Sequence, residues 1–501
     1  MDNLFIMLQR DAQVKRRIAL LRCLNDVTDV MTLNFLAERL SCTLPTLRED
    51  IDVLNLTLKG LLEISTSKQG VVSFLQSSNL SVDSIINGLI KETLPYQIID
   101  GILHERFSTP QEATEELATS RTNFLRTIWH MNEVLENFKI AISTKRNLEF
   151  VGLEENIRVF LFSFYLEFGE REIVSNESGE TLKGFLNLAN EIDHYLHYCH
   201  FRLSICVPIV NIRWAQRHFL TLPKHIEAAV VNQDGLAKFK TALKRHYIED
   251  FGIELPEDEL VWAFITSVHS MSYSNTPSIS QNLNPKKYVY RREAQEETLT
   301  AVHQFITDNF SARLLDQDSL EIVEAFIINT LALKQVTPVY GHGSPLLRGL
   351  IATLYADSYQ KWQRIVDDLA DDSILAPLKS ESVVTNLAIF DASFRRKSHD
   401  QGELYVLFAF QGEPGLDHYL VQWSKILLGE NIKADYFLEE MIDEQKVLEI
   451  KPDAVICNYD IKFEKTKCPF IRLSNFPTLQ EFKAIRDVFD ELLSDTKSNL
   501  K

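Results

Sequence analysis

The chain has 501 residues, 45% of them apolar and 24% charged, a globular composition that excludes a disordered or fibrous protein. At about 100–200 residues per domain, several domains are expected. The formal charge of −18 makes the whole molecule a poor ligand for nucleic acid, so such binding would need a locally less acidic stretch. Residues 1–80 supply one, with 9 basic and 9 acidic side chains, whereas residues 151–501 stand at −15.

In chain order, Val14–Leu24 predicts a helix that opens on Lys15, Arg16 and Arg17. From Leu33 to Gly60 the helical period persists, with Leu36, Ala37 and Leu40 on one stripe and Leu47, Ile51, Leu54 and Leu58 on a second. Only Ser41-Cys42-Thr43 separates them, with Thr43 suited to cap the second helix and Pro45 tolerated in its first turn. Two short β-type runs, Leu61–Ser65 and Val71–Leu75, flank Ser67-Lys68-Gln69-Gly70 as a hairpin. This order predicts a winged helix-turn-helix over residues 1–78.

The pattern returns 77 residues later. Glu38, Leu40, Leu47, Ile51, Leu54, Asn55, Leu58 and Leu61 fall on Glu115, Leu117, Phe124, Ile128, Met131, Asn132, Leu135 and Phe138. The three-residue break becomes Ala118-Thr119-Ser120, and Ile140–Phe150 is hairpin-like, so residues 79–153 are expected to form a second winged module. Such modules read DNA from the N-terminal turns of the second helix and hold phosphates with the wing and flanking helices. In the first copy Thr46, Arg48 and Glu49 occupy the exposed helix positions, with Lys59 and Lys68 near the wing and Lys15, Arg16 and Arg17 on the upstream helix. In the second they are Arg121, Thr122, Asn123, Arg126 and His130, with Lys145 and Arg146 in the hairpin. Arg and Asn being the usual readers of guanine and adenine, the second copy is the better equipped.

Two acidic helical domains are expected next, at 154–277 and 278–382, divided by the turn-rich Ser272–Lys287. Asp193–His200 holds three histidines and Cys199, yet His194, His197 and His200 drift around a helix and no second cluster completes a ligand set, so no metal is expected. From residue 383 onward, Leu404–Phe410, Lys433–Phe437, Ala454–Cys457 and Phe470–Leu473 predict buried strands, with helices at Leu416–Leu428 and Leu479–Leu493 between and after them. Alternation of this kind implies a parallel sheet. No catalytic triad, paired carboxylate, phosphate loop or dinucleotide motif stands out, so neither enzymatic activity nor a cofactor is expected. The six cysteines form no CxxC pair, no signal-peptide pattern is present, and the apolar Val159–Phe168 falls far short of the ~20 residues that span a bilayer. A cytoplasmic protein without a membrane partner is expected.

Taken together, the mainly helical multidomain plan resembles the Mga-like virulence regulators of Gram-positive bacteria; Ala118–Gly152 and its exit through Glu154 and Arg158 are similar to that family's second module. The resemblance implies two PRD-like regulation domains phosphorylated by the sugar phosphotransferase system. It points to His194 in Asp193-His194…Arg202, to His269 in Glu259…Trp262…Ile265…His269, and to His303 in Ala301–Phe305. Phe326–Leu333 has no histidine where a further one would be expected, and His342 is a distant substitute. The C-terminal unit resembles an EIIB-like domain in which Gln411-Gly412 stands where the phosphorylated cysteine would be, implying a non-catalytic dimerisation module. The implied protein is a homodimeric transcription regulator of virulence or colonisation genes that binds double-stranded promoter DNA and a phosphocarrier protein. The alternatives are a PRD-containing RNA-binding antiterminator, which would begin with a small β module, and a helical protein–protein adaptor.

Overall fold

A computed structural model describes residues 4–26, 31–76, 82–167, 200–269, 294–310, 317–341, 345–399, 404–410, 432–438, 444–457 and 468–473, with single positions at 442, 481, 485, 488 and 489. Helices α1 (Leu4–Leu8) and α2 (Ala12–Asp26) precede α3 (Leu33–Arg39) and α4 (Leu44–Thr57). The Thr32 hydroxyl caps α3 by accepting the Phe35 N–H, and Thr43 caps α4 by accepting the Thr46 N–H. Strands β1 (Met31–Thr32), β2 (Leu62–Thr66) and β3 (Val71–Gln76) form an antiparallel sheet in the order β1-β3-β2. The second copy comprises α5 (Val82–Lys91), α6 (Leu94–Leu103), α7 (Pro110–Glu116), α8 (Arg121–Leu135) and the hairpin β4 (Ile140–Ser143) with β5 (Glu149–Gly152).

The 77-residue offset extends to atomic detail. Thr109 caps α7 as Thr32 caps α3, and Ser120 caps α8 as Thr43 caps α4. Ser41 (φ 50°) and Ala118 (φ 46°) take the same left-handed conformation in the turn, one that a Cβ disfavours by about 1–2 kcal/mol. Asn55 donates to the Ile64 carbonyl and accepts the Ile64 N–H, both at 2.8 Å, while Asn132 makes the same pair of bonds to Ile142 at 3.1 and 2.7 Å. In each copy, one amide fastens the second helix to the first wing strand.

Helix α9 (Glu154–Glu167) follows the second wing directly. Phe160 packs against Phe138, in the turn after α8, and Phe150 of the wing, and Tyr96 of α6 against Phe164 and Tyr165, so α9 closes the core of the second module. Gly152 (φ 143°) makes this junction possible, because a Cβ there would lie 2.8 Å from Ile140 Cγ2 and 3.0 Å from the Lys139 carbonyl.

Helices α10 (His200–Ala215), α11 (Lys224–Ala229), α12 (Gln233–Phe251), α13 (Glu257–His269), α14 (Glu296–Asn309), α15 (Gln317–Val336), α16 (Pro345–Leu354), α17 (Ala356–Asp367) and α18 (Glu381–His399) continue the chain. It divides into two compact units, Met1–Asn309 with Gln317–Ile389, and Phe310–Asp316 with Phe390–Lys501. The division falls inside α18, whereas the sequence pattern suggested 382/383. In the second unit β6 (Leu404–Phe410), β7 (Ile432–Leu438), β8 (Ala454–Cys457) and β9 (Phe470–Arg472) form a parallel sheet in the order β7-β6-β8-β9, with α19 (Glu444–Ile450). The described residues of β6 and all of β8 are almost wholly buried, as continuous apolar strands in a covered parallel sheet should be. The Gln411-Gly412 loop, the helix expected at 416–428 and most of that expected at 479–493 lie outside the described residues, as does the 272–287 linker. Among the described residues, no helix is long and apolar enough to cross a membrane.

Candidate nucleic-acid interface

Burial of Phe124, Thr127, Ile128, Met131, Val134 and Leu135 fixes the rotation of α8 in the core. The opposite face carries Arg121, Thr122, Leu125, Arg126 and Trp129, all exposed. Asn123 is exposed too, its amide donating to Thr119 Oγ1 at 3.1 Å. Lys145 and Arg146 lie in the exposed turn between β4 and β5. Among the described residues, no carboxylate pairs with Arg121, Arg126, Lys145 or Arg146, which leaves four cations on one module available to an external anion. His130 is placed elsewhere: its Nε2 donates to the Met7 carbonyl at 2.9 Å and its Nδ1 lies 3.4 Å from Glu133, so it joins α8 to α1.

The first module spends its charges differently. Arg48, Lys59 and Lys68 are exposed, but Arg48 shares its surface with exposed Glu49 and Asp52. Thr46 is half-buried, its hydroxyl 2.9 Å from that of Thr43. Lys15 is half-buried on α2. Arg16 and Arg17, expected on phosphates, both turn onto Asp50, with Arg17 Nε at 2.9 Å. Asp50 is 1% exposed, so the two guanidiniums neutralise a carboxylate inside the α2–α4 contact. The hydrogen bond to Asp50 raises the Arg16 pKa above its ordinary value. The sequence carried a signal for this pair, since Asp50 sits on the apolar stripe of α4 beside Leu47, Ile51 and Leu54.

The three histidines singled out for regulation separate. His194 lies outside the described residues. His269 is 7% exposed, its Nδ1 is 2.7 Å from Asn329 Oδ1, and burial pulls its pKa down to about 4, which keeps the ring neutral. Asn329 occupies the Phe326–Leu333 stretch in which the sequence lacked a histidine. A cavity of about 110 Å³, walled by Phe264, Ile265, Ile328 and Leu331, reaches the buried His269 ring. His303 is the accessible one, its side chain 54% exposed and its Nδ1 2.7 Å from the buried Glu324 carboxylate.

A buried ionic cluster connects the second module's exit with the helical region. Arg158 of α9 donates from Nε to Glu154 at 3.0 Å, from both Nη atoms to Glu259 at 2.8 Å and from Nη2 to the His218 carbonyl at 3.0 Å. Its guanidinium lies 4.8 Å from the Trp262 ring centroid. Arg213 holds the other side of Glu154 at 2.6 Å. Further ties run from Tyr165 to Asp100 and from Gln216 to the Leu103 carbonyl, both in α6, and from Thr337 to Asn156. A shift in α10, α13 or the end of α15 would therefore load α9, and through it the second wing.

Comparison with known proteins agrees with this geometry. Residues 12–70 match the M protein trans-acting positive regulator (MGA) HTH domain, and residues 78–165 match the Mga helix-turn-helix domain. The chain is 24% identical over 306 residues to the capsule synthesis positive regulator AcpA of Bacillus anthracis, a match covering 59% of this chain and 61% of that protein.

Proposed function

We propose that this Mga-like chain is a DNA-binding transcription regulator of virulence type whose second winged module is the principal reader of promoter DNA. The observation that carries this reading is the α8 face, directed away from the core and bearing Arg121 and Arg126 without carboxylate partners among the described residues, in the same module as the wing cations Lys145 and Arg146. A guanidinium in the major groove takes guanine O6 and N7 as a bidentate pair, and wing cations hold the flanking phosphates. The first module supports binding from the side through Arg48, Lys59 and Lys68.

The helical region is assigned PRD-like regulation by a phosphocarrier protein of the sugar phosphotransferase system. Supporting this is His303, where the Glu324 carboxylate accepts from Nδ1–H and leaves Nε2 as the exposed nucleophile. A phosphoryl group there would place roughly −1.5 to −2 charges beside Glu324, by analogy with phosphorylated hydroxyl side chains, and so bias the packing of α14 on α15. Homodimerisation is assigned to the C-terminal unit on its resemblance to an EIIB-like domain, for which the parallel sheet is the supporting feature of fold.

Gel-shift titration of the full-length protein on promoter fragments at two salt concentrations tests the first claim; binding that weakens with salt and disappears in Arg121→Ala/Arg126→Ala is expected. If that double variant binds duplex as tightly as the parent, the second module is not the reader. Incubation with the phosphorylated carrier and mapping of acid-labile phosphate tests the second, with label expected on His303, and label on none of His194, His269 and His303 removes the proposed control.

A further inference from the structure

The exposed face of α8 is not purely polar. Trp129 is 68% exposed and Leu125, one turn before it, 36% exposed, both outside the stripe of buried Phe124, Ile128 and Met131, with Leu125 at its flank and Trp129 further round. Thr122, Leu125, Arg126 and Trp129 follow the i, i+3, i+4, i+7 spacing with which a helix lying along the major groove places side chains on successive base edges. The duplicated module isolates what is particular to this face. At the 77-residue offset the same positions of α4 hold Pro45, Arg48, Glu49 and Asp52, so the apolar pair is not demanded by the fold. An indole left in water gains nothing for the monomer, and it here sits within a surface otherwise suited to DNA by Arg121, Arg126, Lys145 and Arg146.

We infer that Trp129 and Leu125 are specificity-determining residues that pack against thymine C5-methyl groups in the major groove, next to the base pair addressed by Arg126. This rests on the reading of α8 as the DNA-reading helix. The chemistry is selective because the thymine methyl is the apolar group the major groove offers, and neither cytosine nor a purine presents an equivalent. Arg126 and the Trp129–Leu125 pair would thus recognise adjacent guanine and thymine positions by different forces. The first is charge-assisted and the second is apolar burial, which persists when salt screens the phosphates.

The test uses the full-length chain and duplexes enriched by it from a randomised pool, remade with uracil at each thymine in turn so that single methyl groups vanish. Parent protein should lose about fourfold in affinity for each contacted methyl removed. Trp129→Ala should lose roughly tenfold or more on the thymine duplex and become indifferent to uracil at those positions, while keeping the parent's melting temperature. Trp129→Phe should retain part of the discrimination. Arg126→Ala should bind weakly yet still distinguish thymine from uracil. The inference is overturned if the parent ignores uracil everywhere, if Trp129→Ala keeps parental affinity, or if it weakens binding while retaining full uracil sensitivity. A Trp129→Ala variant that instead changes oligomeric mass would mark the face as a protein contact and equally overturn it. Absence of any duplex binding by the parent, at low salt as well as high, would instead sink the underlying DNA-reading assignment.

Discussion

The two winged modules share a skeleton and differ in how they use their charge. Caps, left-handed turn residues and the wing-bracing asparagines repeat at the same interval. The surfaces do not. The first module buries Asp50 under Arg16 and Arg17 and displays Glu49 and Asp52 on its second helix, while the second has Thr127 where Asp50 stands and leaves Arg121 and Arg126 unpaired among the described residues. A duplicated scaffold has thus been divided into a member in which Arg16 and Arg17 hold helices together and a member in which Arg121 and Arg126 face solvent.

The largest expected effect follows from that division. Removing both Arg121 and Arg126 forfeits two bidentate base contacts of about 1–3 kcal/mol each, so affinity for a selected duplex should fall by about a hundredfold or more. Arg48→Ala with Lys59→Ala in the first module should cost less than about tenfold, through phosphate contact alone. Equal losses in titrations of both double variants would erase the asymmetry.

Stability should show the opposite bias. Asp50→Ala leaves two half-buried guanidiniums without their carboxylate and is expected to destabilise the folded chain by about 2–3 kcal/mol, reduced from a fully buried case by residual solvent at both arginines. At the matching position Thr127→Ala removes one hydroxyl bond to the Asn123 carbonyl (2.9 Å) and should cost about 1 kcal/mol. Chemical denaturation of the two variants reads the difference directly. Between these lie Asn55→Ala and Asn132→Ala, each stripping a wing strand of two backbone partners at about 1–2 kcal/mol, and these should agree with one another because the clamp is conserved in geometry. Unequal losses would mean that the repeat has diverged in its framework as well as its surface.

Local features of this architecture were legible in the sequence; remote partners were not. Thr43, Pro45 and the Ser41–Thr43 break act within one turn, so spacing alone located them, and the 77-residue recurrence transferred the assignment to Ser120 and α8. Arg16 and Arg17 look like phosphate ligands because their partner lies 34 and 33 residues on, and His130 looks solvent-facing because the Met7 carbonyl lies 123 residues back. His269 matched a pattern along its own helix, yet its setting is created by Asn329 on α15. Trp129 presents the converse case. An aromatic at helical spacing reads as core, and only the packing of Ile128 and Met131 beside it reveals that this one points outward.

The wings give the smallest and most specific contrast. A cation that neutralises a phosphate releases condensed counterions, so its removal lowers the slope of log affinity against log salt by about 0.9 per contact, whatever it does to affinity at one salt concentration. Lys145 and Arg146 are adjacent in the second wing turn and have no acidic partner among the described residues, so Lys145→Ala/Arg146→Ala should flatten the slope by about 1–2. The first wing offers Lys68 alone at its tip, and Lys68→Ala should flatten it by at most about 1. Base discrimination should survive in both variants, because phosphate contacts position the protein without reading sequence. A wing variant that changed sequence preference while leaving the salt slope intact would move recognition from α8 into the hairpin, and the division of labour between the modules would have to be redrawn around β4 and β5.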